Sequence, residues 1–448
     1  MAWERKIMRT VRVQNDQVVG TLAHLISAIA EQGGNVGEIH LIKEGHRSVV
    51  REITVYAEDN AQLERILAAM EANPNTNILA VKDEVLELHE KGKIAIRSRY
   101  TIDSLATLRR VYTPGVAEVC LKIAADPSLA RLYTSTSHLV AIVTDGTAVL
   151  GLGDIGPLAG MPVMEGKAML METLVGLSGV PILLDTKDSD RIVETVTAIA
   201  PTFAVIQLED ISAPRCFEIE PRLQARLDIP VMHDDQHGTA VVTTAALTVA
   251  SRQTGTDLKK TVIGQIGLGA AGNATARMLT QLTGNPVLGA DLSEEALVRH
   301  EQNGGRRSSL REIMAECDIV VATTGAPGLI KPEMVRKGQI ILALSNPNPE
   351  IDPDAALAAG AAFAADGRSV NNVLGFPGIL RGAVDTVVPC ITHEMYLAAA
   401  QTIADMTPPG ELVPSPLDKK VHQAVARAVA EKAVEQGLAR AEFVPYLD

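Results

Sequence analysis

Residues 261–272 read Thr261-Val262-Ile263-Gly264-Gln265-Ile266-Gly267-Leu268-Gly269-Ala270-Ala271-Gly272. Thr261 to Ile266 reads as a strand, Asn273 to Leu282 as a helix, and three glycines punctuate the turn between them. Each glycine has a separate reason to be there. Gly267 permits a tight turn, Gly269 lets the backbone approach a pyrophosphate, and Gly272 lets helix and strand pack closely. The turn Gly267, Leu268, Gly269, Ala270, Ala271, Gly272 thereby aims a helix N-terminus at an anion. A second strand, Pro286 to Ala290, ends in Asp291, where an acid holds ribose hydroxyls. This context predicts a Rossmann dinucleotide site rather than a structural turn. Asp291 favours NAD over NADP, because a carboxylate repels a 2′-phosphate, although Arg299 lies nearby in sequence.

Working outward, residues 91–240 also read as α/β. Apolar runs at Leu139 to Val143, Val180 to Leu184 and Phe203 to Leu208 each resemble a buried strand followed by a helix. Thr243 to Ser251 reads as a linking helix, and Leu417 to Gly437, beyond Thr407-Pro408-Pro409-Gly410, as a helical tail packed on the body. The first 90 residues differ. Ile7 to Val13 alternates like a strand; Val18 to Glu31 has helical spacing and stops at Gly33-Gly34. Val36 to Lys43 and Ser48 to Tyr56 flank the hairpin signal Glu44-Gly45-His46-Arg47. Ala61 to Met70 is a second helix and Ile78 to Leu88 a last strand. The order βαββαβ is ferredoxin-like. The expected division is therefore 1–90, a small ferredoxin-like domain; 91–240, an α/β domain; and 241–448, a Rossmann domain with a C-terminal helical tail.

Composition narrows the function. Aromatics are 3% of 448 residues, so Ala, Val, Leu and Ile must build the core, as in helices packed on buried parallel strands. The net charge of −13 discourages nucleic acid and anionic membrane as partners. Cys120, Cys216, Cys317 and Cys390 are far apart, which predicts neither disulfides nor structural zinc and fits a reducing cytoplasm. Met1 to Lys6 leads into no secretory apolar core, and no apolar run is long enough to span a membrane.

Polar residues collect at strand ends in the second block. Gln207-Leu208-Glu209-Asp210-Ile211 follows an apolar run, and two carboxylates closing a buried strand are costly unless neutralised. Asp210 could be a helix N-cap before Ser212. Alternatively Glu209 and Asp210 share a metal, which requires the backbone to turn, because consecutive strand residues face opposite ways. His233-Asp234-Asp235-Gln236-His237-Gly238 adds two more acids after another apolar run. Acids converging from two strand ends make an oxygen-rich site for Mg²⁺ or Mn²⁺. His233 and His237 have zinc-like spacing, but Asp-Asp and Gly argue against an unbroken helix there. Tyr112 precedes a Pro114-Gly115 turn that could expose its hydroxyl. Lys167 is either a snorkelling surface lysine or a partly buried one tuned into a base by neighbouring acids.

Together these pieces resemble the malic enzyme family in its shorter bacterial form. The carrying motifs are YTPGVA (112–117), TDGTAVLGLGDIG (144–156), MEGKA (164–168), QLEDI (207–211), HDDQHGTA (233–240), SNPNPE (345–350) and NNVLGFPGILRGA (371–383). The resemblance implies divalent-metal-dependent oxidation and decarboxylation of malate to pyruvate and CO₂ with reduction of NAD(P). It implies Tyr112 as general acid, Lys167 as general base and Asp234 as the carboxylate beside it. It further implies Glu209, Asp210 and Asp235 as metal ligands and Asn346 and Asn372 as substrate contacts. One departure stands out: larger eukaryotic relatives carry an arginine for a malate carboxylate where this chain has Thr147-Ala148. The N-terminal run Val19-Gly20-Thr21-Leu22, continuing to Gly33-Gly34-Asn35-Val36, resembles an ACT domain, which implies a small-molecule effector and a homo-oligomer. A plain αβ sandwich used for oligomerisation is the alternative. Competing functions are a malolactic enzyme that keeps its NAD and releases lactate, a catalytically inactive NAD and metabolite sensor, and an amino-acid dehydrogenase that needs no metal.

Overall fold

The computed structural model describes residues 7–149, 151–368 and 370–443, so Met1 to Lys6 and Leu150 of the sequence reading lie outside the described residues. The chain divides into two compact units, Met1–Ala95 and Ile96–Asp448.

The smaller unit is β1 (Ile7–Asp16), α1 (Thr21–Glu31), β2 (Asn35–Glu44), β3 (Ser48–Ala57), α2 (Asn60–Glu71), β4 (Thr76–Lys82) and α3 (Glu84–His89). Its strands form one antiparallel sheet in the order β2-β3-β1-β4, the ferredoxin-like arrangement. Alternation in β1 and β3 turns Val11, Val13, Ile53 and Val55 inward, where they meet Leu25, Ile29, Ile66 and Met70 of the two helices. One expectation fails here. The last strand ends at Lys82, and residues 84–89 are helical. Asp83 accepts a hydrogen bond from the Leu86 N–H, and Glu84 and Glu87 place negative charge at the helix start.

The larger unit begins with α4 (Leu105–Val111), α5 (Val116–Ala125) and α6 (Ala130–Tyr133). Next come β5 (Leu139–Thr144), α7 (Pro157–Val175), β6 (Ser178–Leu183), α8 (Ser189–Ile199), β7 (Val205–Leu208), α9 (Cys216–Arg226) and β8 (Val231–His233). These four strands form a parallel sheet in the order β6-β5-β7-β8. The helix α10 (Asp234–Thr254) leaves β8 without a loop and carries the chain into the second sheet. That sheet is β9 (Ile263–Ile266), β10 (Leu288–Ala290), β11 (Arg306–Arg307), β12 (Ile319–Ala322), β13 (Ile340–Ala343) and β14 (Phe363–Asp366). Its order is β11-β10-β9-β12-β13-β14, all parallel, with the direction of winding reversing between β9 and β12. This is the doubly wound nucleotide-binding topology, and ligands bind at that reversal. The connecting helices are α11 (Ala270–Thr283), α12 (Glu294–Gln302), α13 (Leu310–Glu316) and α14 (Pro353–Ala358). The chain closes with α15 (Phe376–Asp385), α16 (His393–Asp405) and α17 (Lys419–Glu435), whose apolar faces pack together as the sequence predicts for the tail.

Two further expectations are corrected, and one is extended. The linking helix read at Thr243 to Ser251 is present but longer: it is the second half of α10, which runs unbroken from Asp234. Asp234-Asp235 and Gly238 argue in the sequence against an unbroken helix, yet the two acids occupy its first turn, where carboxylates complement the helix dipole. Nor does Asp210 cap a helix: α9 starts at Cys216.

Candidate active site

Lys167 sits mid-way along α7, only 8% exposed. Its ammonium bonds the Asp234 carboxylate, lies 3.1 Å from a Glu209 oxygen, and stands 4.3 Å from the centre of the Phe376 ring. Burial works against the charged form, but the adjacent Asp234 and Glu209 carboxylates outweigh it and hold the ammonium well above its usual range. The snorkelling alternative is excluded by this burial.

The acids arrive from two strand ends, as the sequence suggests. Glu209 follows β7, and Asp210 adopts φ 54°, the left-handed turn that lets consecutive residues serve one centre. The Asp210 carbonyl is fixed by the N–H groups of Thr147 and Ala148 at 3.2 and 2.9 Å, and its own N–H donates to Asp235 at 2.9 Å. Glu209, Asp210 and Asp235 each offer a carboxylate oxygen within 4.8 Å of the others. Burial raises the Glu209 pKa well above the usual carboxylate range; Lys167 opposes this, and Asp234, Asp235 and Asp210 reinforce it. Glu209 and Asp234 pair with the one ammonium, and the Asp210 and Asp235 carboxylates lie beside Glu209. The residual negative charge and the all-oxygen donor set fit a divalent cation such as Mg²⁺ or Mn²⁺.

The histidines are engaged elsewhere. His233 touches the Ile211 carbonyl at 3.2 Å, and His237 bonds Glu220 at 3.0 Å and stacks on Tyr396. Among the described residues neither joins a metal-like cluster.

Asn372 donates to Asp234 at 2.8 Å and so belongs to the Lys167 group. Asn346, after β13, is exposed and donates to Gly367 instead; its backbone abuts Gly151 in the loop preceding α7. Tyr112 is 67% exposed, at the end of α4, and makes no side-chain hydrogen bond to this group.

At the dinucleotide turn the three glycines separate by environment. Gly267 has φ 85°, and a Cβ there would lie 2.6 Å from the Thr323 carbonyl. At Gly272 it would lie 1.9 Å from the Gly267 carbonyl, whereas at Gly269 it would meet nothing within 4 Å. The turn and the helix packing are therefore tight, and the space over Gly269 is open for a phosphate. Asp291 accepts from the Leu268 N–H at 2.6 Å, which places the acid at the mouth of the turn. Arg299 stacks on Phe217 at 4.0 Å and is thereby occupied.

Comparison with known proteins places this arrangement. The family profile "Malic enzyme, N-terminal domain" matches residues 91–224, and that of the "D-isomer specific 2-hydroxyacid dehydrogenase, NAD binding domain" matches 232–327. NAD-dependent malic enzyme 1 of Bacillus subtilis is 56% identical over 96% of this chain and 98% of its own length. The chain belongs to the malic enzyme family. A second family member, the NAD-dependent malic enzyme of Geobacillus stearothermophilus, is 42% identical over 97% of this chain and 96% of its own. The crystal structure of the malic enzyme from Pyrococcus horikoshii superposes with a TM-score of 0.77 at 40% identity, covering 80% of this chain and 92% of that one.

Three residues of the site carry no chemical signal of their own in the sequence. Phe376 lies within residues 371–383 but carries no chemistry by itself; only packing reveals its ring beside Lys167. Gln207 donates to Glu209 at 2.6 Å and orients it. Arg215 is the cation beside Thr147, donating to it at 2.8 Å and to Asp145 at 2.6 Å. It is distant in sequence, and no spacing rule links it to residue 147.

Proposed function

We propose that this chain catalyses oxidative decarboxylation of (S)-malate to pyruvate and CO₂ with NAD as hydride acceptor. The observation that carries the reading is the buried Lys167 shared between Asp234 and Glu209, because Glu209 is also one of three convergent carboxylates. Glu209, Asp210 and Asp235 would hold Mg²⁺ or Mn²⁺, which, when bound, polarises the substrate's oxygens. Gly267 to Gly272 and Asp291 would hold NAD, which accepts the hydride; Asp291 at the turn, with Arg299 stacked away, supports NAD over NADP.

Lys167 is the base that takes the C2 hydroxyl proton as hydride leaves. It must be neutral to do so. A cation on Glu209, Asp210 and Asp235 would offset the pull of Glu209 and Asp235, so that burial, which lowers the Lys167 pKa, is opposed chiefly by Asp234. Asp234 positions the amine and Asn372 positions Asp234. Asn346 contacts the substrate from the Rossmann side. Tyr112 returns a proton to C3 of the enol formed when CO₂ leaves. The ferredoxin-like unit is ACT-like and takes a small-molecule effector.

Product analysis tests the proposal. Purified protein with malate, NAD and Mn²⁺ is expected to yield pyruvate and NADH in equal amounts. Lactate without net NADH would replace the proposal with the malolactic reaction, and no turnover at any effector concentration with the sensor.

A further inference from the structure

A cleft of about 400 Å³ is walled by α9, α10, α11, α12 and α16. None of the residues assigned to the metal, the base or the dinucleotide lines it. One acid stands in its wall. Glu220 of α9 is 5% exposed, and its carboxylate accepts from the His233 N–H at 2.8 Å and from Gln236 at 3.2 Å, and bonds His237 at 3.0 Å. That charge is already met from within the protein.

The donors of the cleft are not. Arg277 of α11 and Arg299 of α12 line it, and neither guanidinium has a carboxylate partner or donates a hydrogen bond among the described residues. The stack on Phe217 occupies the face of Arg299 and leaves its N–H edge to the cleft. Tyr396 of α16 is 4% exposed and stacks on His237 with ring centres 4.7 Å apart, yet its hydroxyl has no hydrogen-bond partner among the described residues. A buried hydroxyl left unpaired is costly, so the cleft holds a donor that an incoming acceptor would satisfy. Burial, reinforced by Glu220, holds the Tyr396 pKa well above its usual value, so this hydroxyl keeps its proton. Burial likewise lowers His393 to about 4, and Arg277 and His237 push the same way, which marks the cleft as locally positive in a chain of net charge −13.

The cleft also touches both helices that serve the reaction. Gln236 and His237 follow Asp234 and Asp235 on α10, and Asn273 and Arg277 follow Gly272 on α11. We propose that this cleft is a regulatory site for a small organic dianion, held by Arg277, Arg299 and the Tyr396 hydroxyl. Its volume lies within the range of small-molecule sites, and its few convergent polar groups are of the kind that orient a ligand. Two guanidinium groups match the two charges of a phosphate monoester or a dicarboxylate. A dianion bridging these three side chains ties α11, α12 and α16 together beside α10, and so couples its own binding to the metal and dinucleotide sites. The effect on turnover rests on the reaction proposed above; the binding does not.

Calorimetry with glycerol phosphate and, separately, with succinate tests the site in the absence of malate, NAD and metal. One probe per chain is expected to bind. Arg277→Gln is expected to weaken it at least about tenfold, as loss of a charge-assisted hydrogen bond does, while leaving probe-free kcat and KM within about twofold of wild type. Tyr396→Phe keeps the ring and removes only the hydroxyl, and is expected to weaken binding about threefold to tenfold. Tighter glycerol phosphate assigns a phosphate ester, and tighter succinate a dicarboxylate. In initial rates, saturating probe is expected to shift the NAD KM of the wild type at least about twofold and that of Arg277→Gln not at all. No binding of either probe, or binding that both variants leave unchanged, overturns the site. Binding that the variants weaken, with no change in wild-type kcat or KM, overturns its regulatory role. A protein that binds as expected but turns over no malate keeps the site and fails the reaction instead.

Discussion

Lys167 is held by two carboxylates at once, and this makes its substitutions informative. Lys167→Arg keeps a permanent cation between Asp234 and Glu209 but cannot give up its proton. It is expected to fold normally and lose at least about 100-fold in kcat, read by initial rates and melting temperature together. Lys167→Ala strands two buried acids, so it is expected to lose stability as well, by about 3–5 kcal/mol in denaturant titrations. Glu209 gives a pH signature. Its folded pKa is raised, so its contribution favours the metal-free fold at low pH and is lost as pH rises through that value. The melting-temperature gain on adding Mn²⁺ should therefore be larger near about pH 8 than near about pH 5. An equal gain at both would mean that Glu209 is not a ligand. Asp291→Ser is expected to raise the NAD KM about tenfold and narrow the preference over NADP, consistent with loss of hydrogen bonds from a charged group. These residues were legible because each lies in a motif with its own chemical reason. Phe376 and Arg215 were not, because their roles arise from contacts across 209 and 68 positions of sequence.

At the scale of elements, α10 decides the site by delivering Asp234 and Asp235 from its first turn. Gly238 is the constraint. Alanine is the better helix former by about 1 kcal/mol, but a Cβ at 238 would lie 1.9 Å from Asp234 Oδ1. Gly238→Ala is expected to push Asp234 off Lys167 and reduce kcat by an order of magnitude or more, with no gain in melting temperature. Wild-type kinetics in that variant would contradict the packing described. Asp-Asp-Gln-His-Gly looks like a helix break by residue type alone, but at a helix start the two acids are favourable. The same omission turned residues 84–89 into a strand, although Asp83 followed by two glutamates in the next four residues is a helix beginning. By contrast the Rossmann strands were readable, because strands buried on both faces appear as unbroken apolar runs.

In the whole molecule, residues 7–82 and the catalytic body have separate cores. A chain beginning at Ile96 is expected to fold and keep its basal kcat within a few-fold, while losing any response to effectors of the ferredoxin-like unit; an unfolded product would show that the units depend on each other. The change in pattern near residue 90 lies close to the boundary between the two compact units, but the exposure of α4 and α5 was not legible, since their apolar spacing reads like any helix packed on a core. The proposed function rests on three carboxylates and a lysine together making a metal-dependent malate oxidation site. Its most direct test is the initial rate of absorbance rise at 340 nm with malate, measured with NAD and with NADP, in Mn²⁺ and again in EDTA. Rapid reduction of NAD that EDTA abolishes and excess Mn²⁺ restores is the predicted result. A rate indifferent to EDTA, or no reduction of either cofactor with malate, would contradict it.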